Sequence, residues 1–258
     1  MGRHRFFSPA FDLHERVPVT GEEAHHAVRS KRLEVGEAVE LFDGRGATAA
    51  GVVESITRPT KQSGFVVTVE IRDRQVVPAS MPRVEVFAAP PKGDRLEMMI
   101  DQLSQVGADE YVPLLAERTV VEPRTGKMER LRRVALESMK QCGRAWTMEI
   151  GDPVELRAVV EDSARESGVI TLVADAGGVR LESCVRAGSA DSVIRVIVGP
   201  EGGLSPEELA MCREHGVRSM SLGAHVLRIE TAAVVAAAAV AMLVRSDRTL
   251  TKSTGGPE

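Results

Sequence analysis

Aromatic side chains are scarce: six Phe, one Tyr and one Trp make up 3% of 258 residues. Any core must therefore be assembled from Val, Leu, Ala and Met, within a hydrophobic share of 43% that is ordinary for a globular chain. Cysteine is nearly absent. Cys142, Cys184 and Cys212 are scattered and odd in number, which argues against a disulfide framework and every zinc-ligand spacing and fits reduced thiols. No apolar run reaches the ~18 residues of a membrane helix; Ala232–Val244 comes closest but is short and alanine-rich. No apolar segment follows the basic start, as a secretory signal would require. These absences predict a soluble, cytoplasmic protein with no membrane association. An excess of basic charge is missing too, since the formal net charge is −4, which argues against a generally basic nucleic-acid coat. Residues 1–80 and 81–150 each carry 11 basic and 11 acidic side chains, and residues 151–258 carry 11 and 15. A polyanionic partner belongs on the N-terminal and middle parts.

The length suits one large domain or two ordinary ones, and the local patterns favour two. Arg3-His4-Arg5-Phe6-Phe7 is a basic-aromatic patch. Thr20 and Glu23 have capping-box spacing and predict a short helix over His25–Lys31. Ala38–Phe42, Ala47–Ile56 and Phe65–Arg72 alternate like strands, with Asp43-Gly44 as a hairpin-type turn. A small β-barrel over residues 1–76 is expected, with Gln75–Pro82 as linker. From Arg83 the pattern becomes strand-helix-strand: Val84–Ala89, a helix capped by Asp94 with Glu97 at its third position and ended by Gly107, then Tyr111–Leu115. Helices over Lys127–Cys142 and Leu156–Glu166 and a strand at Val169–Ala174 follow. Strands alternating with helices imply a parallel sheet covered on both faces over residues 82–246. The polar stretch 247–258 is expected to be disordered.

The most informative stretch is Val193–Leu243. The apolar strand Val193–Val198 leads into Gly199-Pro200-Glu201-Gly202-Gly203, and Ser205-Pro206-Glu207-Glu208 is a second capping box. Ser219–Leu222 leads into Gly223, and Arg228-Ile229-Glu230-Thr231 opens the last helix. Two loops at the carboxyl ends of strands are where an open α/β sheet holds its ligand. The first loop lacks the Lys-Ser/Thr of a P-loop and the spacing of a dinucleotide fingerprint, so alone it could be a mere glycine-rich turn.

Together, G-P-E-G-G-L-S-P-E-E (199–208) and L-G-x-x-V-L-R-x-E-T-A (222–232) resemble the RsmE family of 16S rRNA uridine-N3 methyltransferases, in the SPOUT (trefoil-knot) superfamily. Lys92-Gly93-Asp94-Arg95, Glu117-Arg118 and Gln141-Cys142-Gly143-Arg144 match further blocks of that family, and the N-terminal patterns resemble its PUA-like RNA-binding barrel. The chain departs from the family pattern at Asp101-Gln102, Gln105-Val106, Lys140 and Ala224-His225. The resemblance implies an α/β SPOUT domain behind a PUA-like barrel, S-adenosylmethionine as cofactor with S-adenosylhomocysteine as product, small-subunit 16S rRNA as partner, an obligate homodimer and no metal.

On that reading the cofactor pocket is lined by Ile197, Val198, Gly199, Glu201, Gly202, Ser221, Leu222, Gly223, Leu227, Thr231 and Ala232. Arg228 is assigned to the uracil or the cofactor carboxylate, and Glu230 to proton management. Pairing of Arg228 with Glu230, or capping of the last helix by Glu230, is the plainer alternative. RNA contacts are expected from Arg3, Arg5, Arg29, Arg32, Lys92, Arg95, Arg118 and Arg144, and from a polar face of the long middle helix formed by Arg130, Arg133, Glu137 and Lys140. His25 and His26 have no ligand-spaced companions and are read as structural or RNA-facing. Rival readings are a SPOUT enzyme acting on a ribose 2′-oxygen and a non-catalytic RNA-binding assembly factor.

Overall fold

The computed structural model describes residues 4–9, 15–58, 60, 64–185 and 193–245. Arg3 and the polar stretch 247–258 lie outside the described residues. The chain divides into two compact units. One comprises residues up to Ala79 together with Leu136–Thr147; the other comprises Ser80–Ala135 and the chain from Met148 onward.

The first unit is a five-stranded sheet with one helix. Its strands are β1 (His4–Phe7), β2 (Arg16–Val19), β3 (Ala38–Phe42), β4 (Ala47–Thr57) and β5 (Val66–Val76), in the order β1-β3-β4-β5-β2. The pairings are antiparallel except β1 on β3. Alternation puts Val39, Leu41, Ala49, Val53, Val67 and Val69 into one core with Phe6, Val17 and Val19. Asp43 Oδ1 accepts from the Arg45 and Ala47 amides, closing the β3–β4 turn. Strands β1 and β2 are not evident from the sequence pattern: four residues each are too few to display a period. The helix α1 is Gly21–Arg29, starting four residues before the expected His25. The Thr20–Glu23 capping box does not form, and Thr20 makes no side-chain cap. Glu23 instead accepts from the Phe7 amide and from Lys140.

Residues 136–147 join this unit through specific bonds. The Arg5 guanidinium donates to the Met139 carbonyl at 3.0 Å and the Arg144 carbonyl at 2.8 Å, while pairing with Glu40. Gly46 N–H donates to the Ala145 carbonyl, and Trp146 Nε1 to the Val77 carbonyl.

The second unit is built on parallel strands β6 (Arg83–Ala88), β7 (Glu110–Leu115), β8 (Glu149–Ile150), β9 (Val154–Glu155), β10 (Val169–Val179), β11 (Val193–Val198) and β12 (Arg218–Met220). The order is β12-β10-β11-β6-β7-β8, with β9 also pairing β7. Successive residues serve opposite faces. Val84, Val86, Ile194, Val196 and Leu172 pack with α2 (Arg95–Val106), the first part of α3 (Thr125–Cys142), α5 (Leu181–Cys184) and α7 (Ile229–Val244). Phe87, Ile197 and Val173 pack with α4 (Leu156–Arg165) and α6 (Pro206–Glu214). The sheet is thus covered on both faces, in a SPOUT-like α/β arrangement.

Local signals in this unit fare unevenly. Ser205 and Glu208 form the reciprocal capping box at α6. Asp94 makes no side-chain cap on α2, because its φ/ψ of −74°/−12° is helical rather than extended. Glu97 turns instead to Lys127 and Arg130. On α3, Met128, Leu131, Ala135 and Met139 are buried as expected, but Cys142 is exposed. Cys212 lies in the core, where burial pushes its thiol up to about 11. Among the described residues, no helix is long and apolar enough to cross a membrane, and no group of three or more His, Cys, Asp or Glu side chains is arranged to hold a metal ion.

Candidate active site

Because β6, β7, β11 and β12 are all parallel, the loops that leave their carboxyl ends gather on one edge of the sheet. These loops are residues 89–94, 116–124, 199–204 and 221–228. Strand β6 lies directly beside β11, and the Ala89 amide donates to the Val198 carbonyl as the two strands end. The loop after β6 therefore runs next to the glycine loop after β11.

The glycine loop is tightly folded. The Gly203 amide donates to the Pro200 carbonyl at 2.8 Å. A Cβ on Gly199 would sit 3.0 Å from Leu204 Cγ and 3.2 Å from the Leu204 amide nitrogen, so Gly199 permits an approach that Ala would crowd. Ile197 and Val198 are buried at the strand end, and Glu201 and Gly202 are exposed. Arg118, from the loop after β7, donates to the Gly202 carbonyl at 2.8 Å, and the Glu117 amide donates to Glu208. Those two bonds fasten the β7 loop to the glycine loop.

In the second loop Ser221 and Leu222 lie beyond β12, which ends at Met220 rather than at Leu222 as its apolar pattern suggests. Gly223 has φ = +129° and open space where a Cβ would stand; only glycine takes that backbone conformation without strain. Ala224, His225 and Val226 are exposed, whereas Leu222 and Leu227 are half-buried against the core. Arg228 occupies the N-cap position of α7 and is exposed, Thr231 is exposed, and Ala232 is buried.

Glu230 is the unusual group. It is only 8% exposed, in the first turn of α7 where the helix dipole favours a carboxylate. Its partner is Arg95, not Arg228: Arg95 Nη1 stands 3.6 Å from Glu230 Oε1, and Arg95 Nη2 stands 4.0 Å from Glu201 Oε1. The second carboxylate oxygen, Glu230 Oε2, is buried and has no hydrogen-bond partner among the described residues. A buried carboxylate oxygen left in that state is costly unless something donates to it.

The structure thus brings Glu201, Glu230 and Arg95 together and leaves Arg228 facing solvent at the same rim. The sequence places Arg95 on RNA; its position at the start of α2, after the loop next to β11, aims it instead at the two glutamates. Strand order would reveal this, and one sequence does not state strand order. Lys92 is exposed in the same loop. In the first unit, Arg29 and Arg32 are exposed and Arg144 is half-buried. Arg5 is turned inward on Glu40 and the carbonyls of Met139, Lys140 and Arg144, with a side chain 11% exposed. Lys140, expected on the polar face of α3, is held by Glu23 and Glu137 with 14% exposure. Gln102 and Gln105 lie on the exposed side of α2, Gln105 bonded to Asp101.

A covered parallel sheet carries a carboxylate, an arginine and two glycine-shaped loops at one strand-end edge, and this SPOUT-like α/β arrangement is shared with solved methyltransferases. The model of an RNA methyltransferase domain matches residues 78–241, and that of an RNA methyltransferase PUA domain matches residues 19–63. Ribosomal RNA small subunit methyltransferase E of Mycobacterium bovis is 33% identical over 234 residues, covering 87% of this chain and 86% of that protein. A Legionella pneumophila protein described as a methyltransferase, solved with bound S-adenosylmethionine, superposes with a TM-score of 0.79 at 27% identity, over 93% of this chain and 98% of that one. The small subunit methyltransferase E of Neisseria gonorrhoeae shares the fold, with a TM-score of 0.82 at 22% identity over 94% and 98% of the two chains. The chain belongs to the RNA methyltransferase family, in its ribosomal RNA small subunit methyltransferase E (RsmE) branch.

Proposed function

We propose that this protein methylates N3 of a uridine in 16S rRNA of the small ribosomal subunit, with S-adenosylmethionine as methyl donor, as a cytoplasmic homodimer. The observation that carries the reading is Glu230: a buried carboxylate with one oxygen on Arg95 and the other unpartnered among the described residues, at the rim of both glycine loops. The residues fit the cofactor. Gly223 leaves open space beside its backbone in the second loop, Gly199 lets Leu204 fold close in the first, and backbone groups of 197–199 and 221–223 suit an adenine and ribose, with Leu222 and Leu227 as apolar walls. Glu201 complements the positive charge of an amino acid or sulfonium, and Arg228 complements a carboxylate or a uracil carbonyl.

S-adenosylmethionine, when bound, supplies a methyl group already activated by its sulfonium charge, with S-adenosylhomocysteine as the other product. What remains for the chain is orientation and one proton. Uridine N3 bears that proton and becomes nucleophilic only as it leaves. Glu230 Oε2 is the acceptor, directly or through one water, so the N3–H electron pair goes to the new N–C bond and the proton to the carboxylate. Arg95 holds Glu230 in place. Arg228, at the exposed rim, steadies the negative charge that develops on the uracil oxygens. For the homodimer, Val235 and Met242 form an exposed apolar line on α7, 39% and 75% exposed, in a helix whose opposite side is core.

Nucleoside mass spectrometry of small-subunit RNA treated with the protein and S-adenosylmethionine tests the reading. Appearance of 3-methyluridine is the expected result; a 2′-O-methyl nucleoside in its place overturns the base assignment. Calorimetry with S-adenosylmethionine separates an enzyme from an assembly factor, which would show no binding.

A further inference from the structure

The glycine loop after β11 is held from outside by a turn that takes no part in the proton transfer. Residues 116–119, directly after β7, close on themselves. The Thr119 amide donates to the Ala116 carbonyl and the Ala116 amide to Thr119 Oγ1, both at 2.9 Å. Glu117 and Arg118 are the two central residues of that turn, and each sends one bond to the segment 202–208. The Arg118 guanidinium donates to the Gly202 carbonyl at 2.8 Å, and the Glu117 amide donates to Glu208 Oε1 at 2.8 Å.

Glu208 has two duties. In a capping box the glutamate needs one oxygen, which accepts from the N-cap amide. Here Oε2 accepts from the Ser205 amide at 2.8 Å. The other oxygen is taken by the Glu117 amide, 91 residues away in the chain. One carboxylate therefore starts α6 and ties the β7 turn to it.

Gly202 bears the mark of the same contact. Unlike Gly203, it does not have a positive φ. A Cβ on it would lie 3.2 Å from Arg118 Cδ, so a bare backbone leaves room for the arginine stem while the guanidinium holds the carbonyl. Strand β6 lies between β7 and β11, so the brace reaches past the carboxyl end of β6. Alternate strands stand roughly 10 Å apart, and a long side chain suits that reach.

A loop that samples several shapes binds its ligand only in the competent one, and its apparent affinity falls with that fraction. Inside this loop the Gly203 amide holds the Pro200 carbonyl at 2.8 Å. The brace adds restraint at Gly202 and at Ser205, on both sides of Gly203. It also fixes the residue after Glu201, whose carboxylate stands 4.0 Å from Arg95.

We propose that Arg118 and Glu208 are positioning residues that hold the glycine loop in its cofactor-binding shape before the cofactor arrives. The inference rests on the reading of that loop as an S-adenosylmethionine site. It gives Arg118 a task other than the RNA contact expected from the sequence.

The experiment uses the full-length protein. Arg118→Met keeps the stem and loses the donors; Arg118→Lys restores one. By calorimetry, Arg118→Met should bind S-adenosylmethionine about tenfold more weakly, the scale of one hydrogen bond from a charged donor. Arg118→Lys should recover most of that loss. In methyl-transfer assays KM for S-adenosylmethionine should rise by the same factor while kcat at saturation stays near wild type. Glu208→Gln and Ser205→Ala both weaken the α6 cap and should lower the melting temperature, but only Glu208→Gln should also weaken cofactor binding severalfold. Wild-type cofactor affinity in Arg118→Met would overturn the proposal, even if RNA binding fell. So would a lower kcat at unchanged KM, and equal affinities in Glu208→Gln and Ser205→Ala would remove Glu208 from it. Amide hydrogen exchange in the cofactor-free protein reads the brace by itself. The Gly203 amide should be protected in wild type and exchange faster in Arg118→Met; unchanged exchange would overturn the proposal. Protein that shows this exchange pattern yet binds no S-adenosylmethionine would fault the proposed function and leave the brace standing.

Discussion

Two arginine arrangements in this protein use the same side chain in opposite ways. In the second unit, Arg95 faces the buried carboxylate of Glu230. In the first, Arg29 and Arg58 lie on the face of Phe65 in contact with solvent. The difference is one of dielectric. A carboxylate taken out of water loses several kcal/mol of hydration and must have a partner to remain charged. Arg95 is that partner, and its own charge is consumed locally. An exposed guanidinium keeps its hydration and its field, which extends about 8–10 Å at physiological salt. Burial ties a charge to its partner; exposure leaves it in contact with water.

Removing the buried charge should give the largest effect. Glu230→Gln keeps the shape and removes the proton acceptor, so methyl transfer should fall by about 10²–10⁴-fold. Affinity for S-adenosylmethionine, measured by calorimetry, should stay within a few fold. Near-normal turnover would remove Glu230 from the chemistry and make its pair with Arg95 purely structural. Arg95→Met should lower turnover less, with partial recovery in Arg95→Lys.

Next in size is a change that involves no charge. Leu103 is fully buried on α2 in the core that α2 shares with α7, and Leu103→Ala should destabilise the protein by about 2–5 kcal/mol through the cavity it leaves. Denaturant unfolding measures it.

The smallest effect concerns ion pairs that only hold structure, and here pH distinguishes the units. Burial works against the charge on Lys140, but its bonds to Glu137 and Glu23 outweigh that and raise its pKa above the ordinary 10.5. A raised cation pKa contributes stability that is complete below 10.5 and lost as pH climbs through the raised value. Lys140→Met should therefore cost about 1–2 kcal/mol at neutral pH, and the difference from wild type should fade in strongly alkaline solution. Glu97 is the mirror case in the second unit. Its bond to Lys127 holds it below the ordinary 4.5, with Arg130 adding to the effect. Its contribution is present above pH 4.5 and lost as pH falls through the lowered value. Glu97→Gln should thus narrow the gap to wild type only in acid. Equal pH dependence in the two variants would erase the contrast.

Much of this was legible in the chain. The strands Ala38–Phe42 and Val193–Val198 were placed to the residue because a long alternating or apolar run admits one reading. The Ser205 capping box was legible because both of its bonds are local. The Thr20 box has the same spacing and failed, since Glu23 is drawn to Phe7 and to Lys140, which lies 117 residues away. Spacing records local opportunity, not distant competition. The two loops after β11 and β12 were evident from glycine placement. Which arginine meets Glu230 was not, because the pairing depends on β6 adjoining β11, a contact between strands over a hundred residues apart.

Leu136–Thr147 belongs to the compact unit that begins near His4, although more than fifty residues of the other unit intervene in the chain. The Arg5 bond to Met139 spans 134 residues. A fragment cut after Ala79 would retain every strand of the first unit yet leave the Arg5, Glu23 and Gly46 partners unmade. On the ribosome, likewise, the first-encoded unit can make its full set of bonds only once residue 147 has emerged. An excised version of this unit keeps those bonds only with 136–147 joined back to it.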